Sequence, residues 1–223
     1  MGAKVSKDDI IRALLDTAFF RSTGATSLKD IAEKIGIKKA SLYNHFESRD
    51  DIIKQTMDSC REYVEAIMFT PRDIDSVTKK YPPDIVFKGI INRYFKMHEK
   101  TPLFQIYTFL ESQKYFSQDA VDIIKGENRK IIAQTIQVLK ALKANGRISI
   151  DMKQIDSAAV WFCSGMKELL NLYLLDKKKI VVNNPDSGEG QLFSLPADET
   201  ALEKIDTYID SFIDLIAQKG KHV

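Results

Sequence analysis

Apolar residues recur at every third or fourth position along most of the chain, a spacing that predicts amphipathic helices. Four helices are predicted before residue 68, and three of them begin with a serine followed three residues later by an aspartate. This pattern caps a helix, because each of the two side chains can bond the other residue's backbone N–H. The capping pairs are Ser6 with Asp9, Ser27 with Asp30, and Ser48 with Asp51. The remaining helix is short and begins near Lys38 or Lys39.

Five longer helices are predicted in the rest of the chain, at about 84–98, 102–113, 117–144, 153–175 and 198–217. The stretch from Pro71 to Pro83 predicts a break between helices. The stretch 179–195 predicts an irregular loop, with a small β-hairpin as the alternative, because two apolar runs flank a segment with Pro and Gly. Long helices joined by short gaps, with no sustained alternation of apolar and polar residues, predict an all-α protein.

Composition and charge exclude little. The chain has 223 residues, of which 44% are hydrophobic and 29% charged, as in an ordinary globular protein, and a net charge of +2 permits DNA binding without indicating it. The two cysteines, Cys60 and Cys163, are far apart, which predicts free thiols in a reducing compartment. With no apolar run that could span a bilayer and no secretory signal pattern, we expect a cytoplasmic protein.

The sequence does not favour an enzyme. It lacks a nucleophile elbow, a phosphate loop, a zinc-protease motif and a dinucleotide fingerprint, and its three histidines do not stand at metal-ligand spacing. The Gly188-Glu189-Gly190 run stands alone in a polar stretch and carries no such chemistry. We therefore expect no catalytic residue, no metal site and no cofactor.

The sharpest signal lies in the first 50 residues, where two short helices joined through Gly36 predict a helix-turn-helix. Leu42 and Phe46 are four positions apart, so both face the preceding helices. The other face of the third helix is then free to enter a DNA major groove. The residues predicted on or beside that face are Lys38, Lys39, Ala40, Tyr43 and Asn44. From the pattern alone, a purely structural helix pair remains the alternative.

The run from Gly24 to Ile53 resembles the DNA-binding segment of the tetracycline-repressor (TetR) family. The matching features are Asp30-Ile31-Ala32, the Gly36 turn, Ser41-Leu42-Tyr43, His45-Phe46 and Ser48-Arg49-Asp50. The resemblance implies about nine helices, with a DNA-binding domain at 1–49 and a helical ligand-binding and dimerisation domain at 50–223. It also implies a repressor that a small ligand releases from a palindromic DNA operator.

The same resemblance assigns roles to individual residues. The family holds DNA phosphates at the positions of Thr26, Ser27, Tyr43, His45 and Arg49. It meets bases at the positions of Lys29, Lys39, Ala40 and Ser41. Arg49 replaces the commoner lysine, and the variable positions Lys39 and Ala40 leave the operator sequence undetermined.

A dense set of aromatic residues and methionines at about 94–116 and 161–166 predicts where a small apolar ligand would bind. The candidate ligand-binding residues are Tyr94, Phe95, His98, Phe104, Tyr107, Glu111, Trp161, Phe162 and Met166. Each of these residues alone is as well explained as part of a hydrophobic core. A helix-turn-helix protein switched by a protein partner, with no small ligand, is the alternative.

The helix predicted at 153–175 is apolar nearly all round, so it must be covered on two sides. Ala158, Ala159 and Gly165 are its expected points of close approach. The expected cover is the 198–217 helix together with a second copy of the chain, which predicts a homodimer through these two helices.

Overall fold

The computed structural model describes residues 5–183 and 199–217, and these ranges form helices joined by turns and short loops, which confirms the all-α class. The described residues contain ten α-helices, against about nine expected, and one short 3-10 helix, η1 (Met152–Gln154). The α-helices are α1 (Lys7–Arg21), α2 (Leu28–Lys34), α3 (Lys39–Leu42), α4 (Arg49–Ala66), α5 (Ile74–Lys80), α6 (Pro83–His98), α7 (Leu103–Gln113), α8 (Gln118–Ala144), α9 (Ile155–Asn183) and α10 (Glu199–Ala217).

Helix α5 lies inside the stretch that was predicted to be a break, so that prediction is wrong. Asp73 caps the helix by accepting a hydrogen bond from the Ser76 N–H at 3.2 Å. Thr78 is fully buried, and its hydroxyl oxygen accepts a hydrogen bond from the Asn145 side chain at 2.9 Å. A seven-residue helix with few apolar residues leaves no clear helical pattern in the sequence. The hydrogen bonds made by Asp73 and Thr78 stabilise it.

Helix α9 continues eight residues past its predicted end at 175. Residues 179–183 are therefore helical, and the loop or hairpin predicted from Lys179 is wrong for them. The remainder of that predicted stretch, 184–195, lies outside the described residues. Lys177 and Val181 are both buried, so the inward-facing stripe of α9 runs on through a charged residue.

The chain divides into two compact units, and each has its own hydrophobic core. The first unit lies within residues 1–67 and 101–127, and the second within 68–100 and 128–223. These bounds follow packing and differ from the predicted domain limits at residues 49 and 50, which stay a prediction of where the functions lie. Helix α8 begins in the first unit and ends in the second.

In the first unit, α1 packs against α2, α4 and α7. Its inward face carries Ile10 and Leu14, which share one core with Ile31 of α2, Ile52 of α4 and Phe109 of α7. Burying such side chains contributes roughly 1.5–3 kcal/mol each, which fixes the short helices α2 and α3 although neither would be stable alone.

In the second unit, aromatic rings join α6, α9 and α10. The Phe87 ring lies edge-on to Phe162 and Phe212, with centroids 4.8 and 5.6 Å apart. Gly165 of α9 faces Tyr208 of α10 within the same chain. Gly165 is therefore a point of close approach, as expected, and the element that approaches it is the predicted 198–217 helix.

Cys60 and Cys163 are both free and buried. Burial raises the pKa of Cys60 to about 12 and the pKa of Cys163 to about 11. None of the helices in the described ranges has the length and apolar character needed to cross a membrane. Within the same ranges, no group of three or more His, Cys, Asp or Glu side chains could hold a metal ion.

Candidate nucleic-acid interface

The helix-turn-helix begins with a complete capping box at Ser27. The Ser27 hydroxyl oxygen accepts the Asp30 N–H at 3.2 Å, and the Asp30 carboxylate accepts the Ser27 N–H at 2.8 Å. Hydrogen bonds from the Ser27 hydroxyl and N–H hold the pKa of Asp30 below its usual value. Arg21 of α1 pairs with the same carboxylate at 2.9 Å, so the start of α2 is tied to α1.

The turn after α2 is closed by backbone bonds that only a left-handed residue permits. Gly36 has φ +69°, its N–H donates to the Glu33 carbonyl at 3.2 Å, and the Ile37 N–H donates to the Ala32 carbonyl at 2.9 Å. This pair of bonds satisfies the carbonyls at the helix end. The chain can then reverse into α3 within three residues.

The segment 38–46, which contains α3 and the turn after it, presents one side to the core and the other to solvent. Leu42 is 1% exposed and Phe46 3% exposed, and the Phe46 N–H donates to the Leu42 carbonyl at 3.1 Å. The inward pair predicted from sequence is confirmed. Tyr43 is 54% exposed, and the side chains beside it are also open to solvent: Lys38, Lys39, Ala40 and Asn44.

The predicted DNA-contacting residues differ in accessibility. Besides the exposed face of α3, Ser27 and Lys29 are exposed, whereas Ser41, His45 and Arg49 are half-buried. Thr26 is buried, and its hydroxyl donates to the Ser22 carbonyl at 2.8 Å. The Thr26 side chain therefore supports the loop before α2 and does not reach the surface.

Arg49, the first residue of α4, also bonds within the chain. Its Nη2–H donates to the Thr23 carbonyl at 2.5 Å, and its Nε–H donates to the Thr26 carbonyl at 3.1 Å. Sequence reasoning missed Thr23, because a residue that contributes a backbone acceptor leaves no side-chain signal. These bonds join the start of α4 to the loop between α1 and α2.

The candidate ligand-binding residues fall into both compact units. Phe104, Tyr107 and Glu111 belong to the first unit, and the other six belong to the second. Phe104 packs edge-on against Phe19 with centroids 4.9 Å apart. These residues were predicted to share one apolar site, which stays a prediction.

In the second unit, most of these residues are core. Tyr94, Phe95, His98, Phe162 and Met166 are at most 3% exposed, whereas Trp161 is 51% exposed. The His98 Nδ1–H donates to the Tyr94 carbonyl at 2.8 Å, and the two rings lie 4.2 Å apart.

A cavity of about 330 Å³ opens at the surface of the first unit between α1 and α2. Its wall includes Phe20 and the Arg21–Asp30 ion pair. None of its lining residues belongs to the candidate ligand-binding set.

Comparisons with known proteins agree with this architecture. Residues 10–56 match the family described as bacterial regulatory proteins, tetR family. The biofilm operon icaADBC HTH-type negative transcriptional regulator IcaR of Staphylococcus aureus (strain Newman) is 30% identical over 94 residues, which cover 42% of this chain and 48% of that protein. The chain thus spans about half the length of the curated relatives it matches.

Two solved structures share the fold over nearly the whole chain. A transcriptional regulator from Rhodococcus sp. superposes with a TM-score of 0.58 at 14% identity, covering 97% of this chain and 100% of that one. The TetR family transcriptional regulator PfmR from Thermus thermophilus gives 0.57 at 17% identity, covering 92% and 97%. The capped helix-turn-helix lies inside the family match, which leads to one conclusion: residues 10–56 are a DNA-binding segment of the tetR family of bacterial regulatory proteins, within a chain that shares its fold with these solved regulators.

Proposed function

We propose that this protein is a transcriptional repressor that binds a palindromic DNA operator as a homodimer in the cytoplasm. The observation that carries the proposal is the division of the segment 38–46, which contains α3 and the turn after it, into a buried side, Leu42 with Phe46, and an exposed side with Lys39 and Tyr43. An exposed helix face of this kind is what a helix-turn-helix inserts into the major groove.

The charges beside α3 support the same proposal. Lys29, Lys38 and Lys39 are exposed, and a lysine can hydrogen-bond a guanine edge or neutralise a phosphate. Ala40 leaves room for the backbone to approach the bases, and the Tyr43 hydroxyl can donate to a phosphate. A dimer would present two helix-turn-helix segments, so its operator would contain two half-sites about 34 Å apart along the duplex.

The test is DNA binding by variants of the exposed face. We expect Lys39→Ala and Tyr43→Ala each to weaken binding to a selected operator by about 1–3 kcal/mol, because each removes a contact to base or phosphate. The operator is first selected from genomic fragments retained by the wild-type protein, and affinity is then measured by fluorescence anisotropy.

Lys125→Ala is the matched control, since Lys125 is an exposed lysine on α8 in the same unit. It should bind the operator as the wild type does. Wild-type affinity in both the Lys39 and Tyr43 variants would refute the assigned face, and failure to select any DNA would refute the function.

We further propose that a small apolar ligand releases the operator, with Tyr94, Phe95, His98, Phe162 and Met166 of the second unit around it. Four of these five residues contribute large apolar or aromatic surfaces, and His98 supplies a polar ring. Because they already pack on neighbouring side chains, the ligand has to displace some of them. Release follows only if the ligand prefers a conformation that fits the operator less well.

A compound screen tests ligand release. A true effector raises the thermal unfolding temperature, since binding to the folded state adds RT ln(1 + [L]/Kd) of stability. It also weakens operator binding about 5–150-fold, the range of ordinary coupling energies. Phe162→Ala should abolish both effects. Compounds that stabilise the protein but leave operator affinity unchanged would contradict the model and favour a switch by a protein partner.

A further inference from the structure

We infer that Arg49 is a positioning residue that ties the two ends of the helix-turn-helix together, and that it does not act as a DNA phosphate contact. The inference rests on the proposed DNA-binding function, and it departs from the phosphate role that the family resemblance gives to this position. It is carried by two hydrogen bonds from one guanidinium to the carbonyls of Thr23 and Thr26.

The geometry depends on the shape of the arginine side chain. Nε–H and Nη2–H lie in one plane and point in fixed directions, so one guanidinium can bind two separate acceptors at once. The two carbonyls that receive these bonds are three residues apart on the loop before α2. A lysine ammonium is a single point of charge and cannot reproduce this fork.

The loop that Arg49 holds has an unusual backbone. Ser22 has φ +73° and ψ 157°, a combination that is strained for any residue with a side chain. The loop is bonded internally as well: the Thr26 hydroxyl donates to the Ser22 carbonyl at 2.8 Å, and the Thr26 N–H donates to the Thr23 carbonyl at 3.3 Å. A strained conformation persists only where its surroundings enforce it, and the Arg49 bonds are part of that enforcement.

The position of the bonds along the chain explains why they matter for DNA. Thr26 immediately precedes the Ser27 cap of α2, and Arg49 is the first residue after the Ser48 cap of α4. One side chain therefore closes the segment 26–49, which contains the whole helix-turn-helix. Loss of this closure would let the start of α2 shift, and the α3 face packed on it would lose its alignment.

Arg49→Lys separates the two roles. If Arg49 bound a DNA phosphate, Arg49→Lys would keep that contact and bind as the wild type does. Arg49→Ala would lose it and would lower the dependence of log K on log[salt] by about 1. A positioning role predicts that Arg49→Lys and Arg49→Ala both weaken operator binding at least about fivefold while the salt dependence stays that of the wild type. Arg12→Lys, at an exposed arginine of α1, is the matched control and should bind as the wild type does.

Two further measurements distinguish positioning from a general loss of stability. Without DNA, the Ala25 and Thr26 amides should exchange with solvent faster in both Arg49 variants, whereas the Phe109 and Leu110 amides of α7 should not. Adding Ser22→Gly to Arg49→Lys should restore part of the lost affinity, because glycine adopts the loop backbone without strain. A missing phosphate contact could not be restored in this way.

The inference is overturned if Arg49→Lys binds the operator like the wild type, if Arg49→Ala lowers the salt dependence, or if the loop amides exchange at the wild-type rate. The exchange measurement needs no DNA. If the wild-type protein binds no DNA, the proposed function fails, and exchange still decides whether Arg49 holds the loop.

Discussion

Gly165 illustrates how one residue can decide the contact of two helices. A Cβ built on it would lie 2.6 Å from the Tyr208 Cζ and closer still to the Tyr208 Oη, nearer than real Cβ contacts come. The Tyr208 ring cannot swing away freely, because it stacks on Phe162 and its hydroxyl donates to the Phe162 carbonyl at 2.8 Å. Helices α9 and α10 can approach as they do only because position 165 carries no side chain.

We predict that Gly165→Ala lowers the free energy of unfolding by about 1–3 kcal/mol, because the added methyl group overpacks the contact with Tyr208. Gly89→Ala is the control, since Gly89 lies in the exposed part of α6 with nothing within 4 Å of a Cβ. It should raise stability by up to about 1 kcal/mol through helix propensity. Urea denaturation measures both, and an unchanged or raised midpoint for Gly165→Ala would contradict the prediction.

Among the elements, the helix-turn-helix is the part that the sequence predicts best. Its signals are local: the Ser27–Asp30 cap, the left-handed Gly36 and the Leu42–Phe46 spacing each act within a few residues. Interactions of this kind leave a pattern in the sequence because both partners are near neighbours. The starts of α1, α2 and α4 were predictable for the same reason.

Elements fixed by distant contacts were not predictable. Lys177 is 4% exposed and sits over the Tyr173 ring, with its ammonium 5.2 Å from the centroid. Because Lys177 is charged, it interrupts the apolar spacing that identifies the inward face of a helix. The β-branched residues after it favour a strand, so the predicted end of α9 came too early. The same limit applies to Arg49, whose partners are backbone carbonyls 23 and 26 residues away.

At the scale of the whole molecule, the second unit exposes more apolar surface on α9 and α10 than a lone chain needs. The large apolar side chains exposed there are Val160, Trp161, Leu172, Leu175, Ile180, Val182 and Leu215. Trp161, Leu172, Leu175 and Val182 are spaced so that they follow one side of α9. An exposed apolar stripe of this length is typical of an interface, and an isologous dimer is the commonest assembly that would cover it.

We predict a dimer in solution whose interface buries on the order of 2,000 Å² or more. The double variant Leu172→Asp, Leu175→Asp should sediment as a monomer at micromolar concentration, because it places charge in the middle of the stripe. Phe116→Asp replaces an even more exposed apolar residue of the first unit and should leave the dimer intact. A wild-type protein that sediments as a monomer would refute the interface.

The buried state of the two native thiols makes the protein suited to site-directed labelling. Thiol reagents attack the thiolate, and with pKa values of about 12 for Cys60 and about 11 for Cys163, very little thiolate exists at neutral pH. A cysteine introduced at exposed Lys38 would therefore react first, with no need to replace either native residue. A nitroxide at this position in both copies would give the separation of the two α3 helices directly, for comparison with the spacing of DNA half-sites.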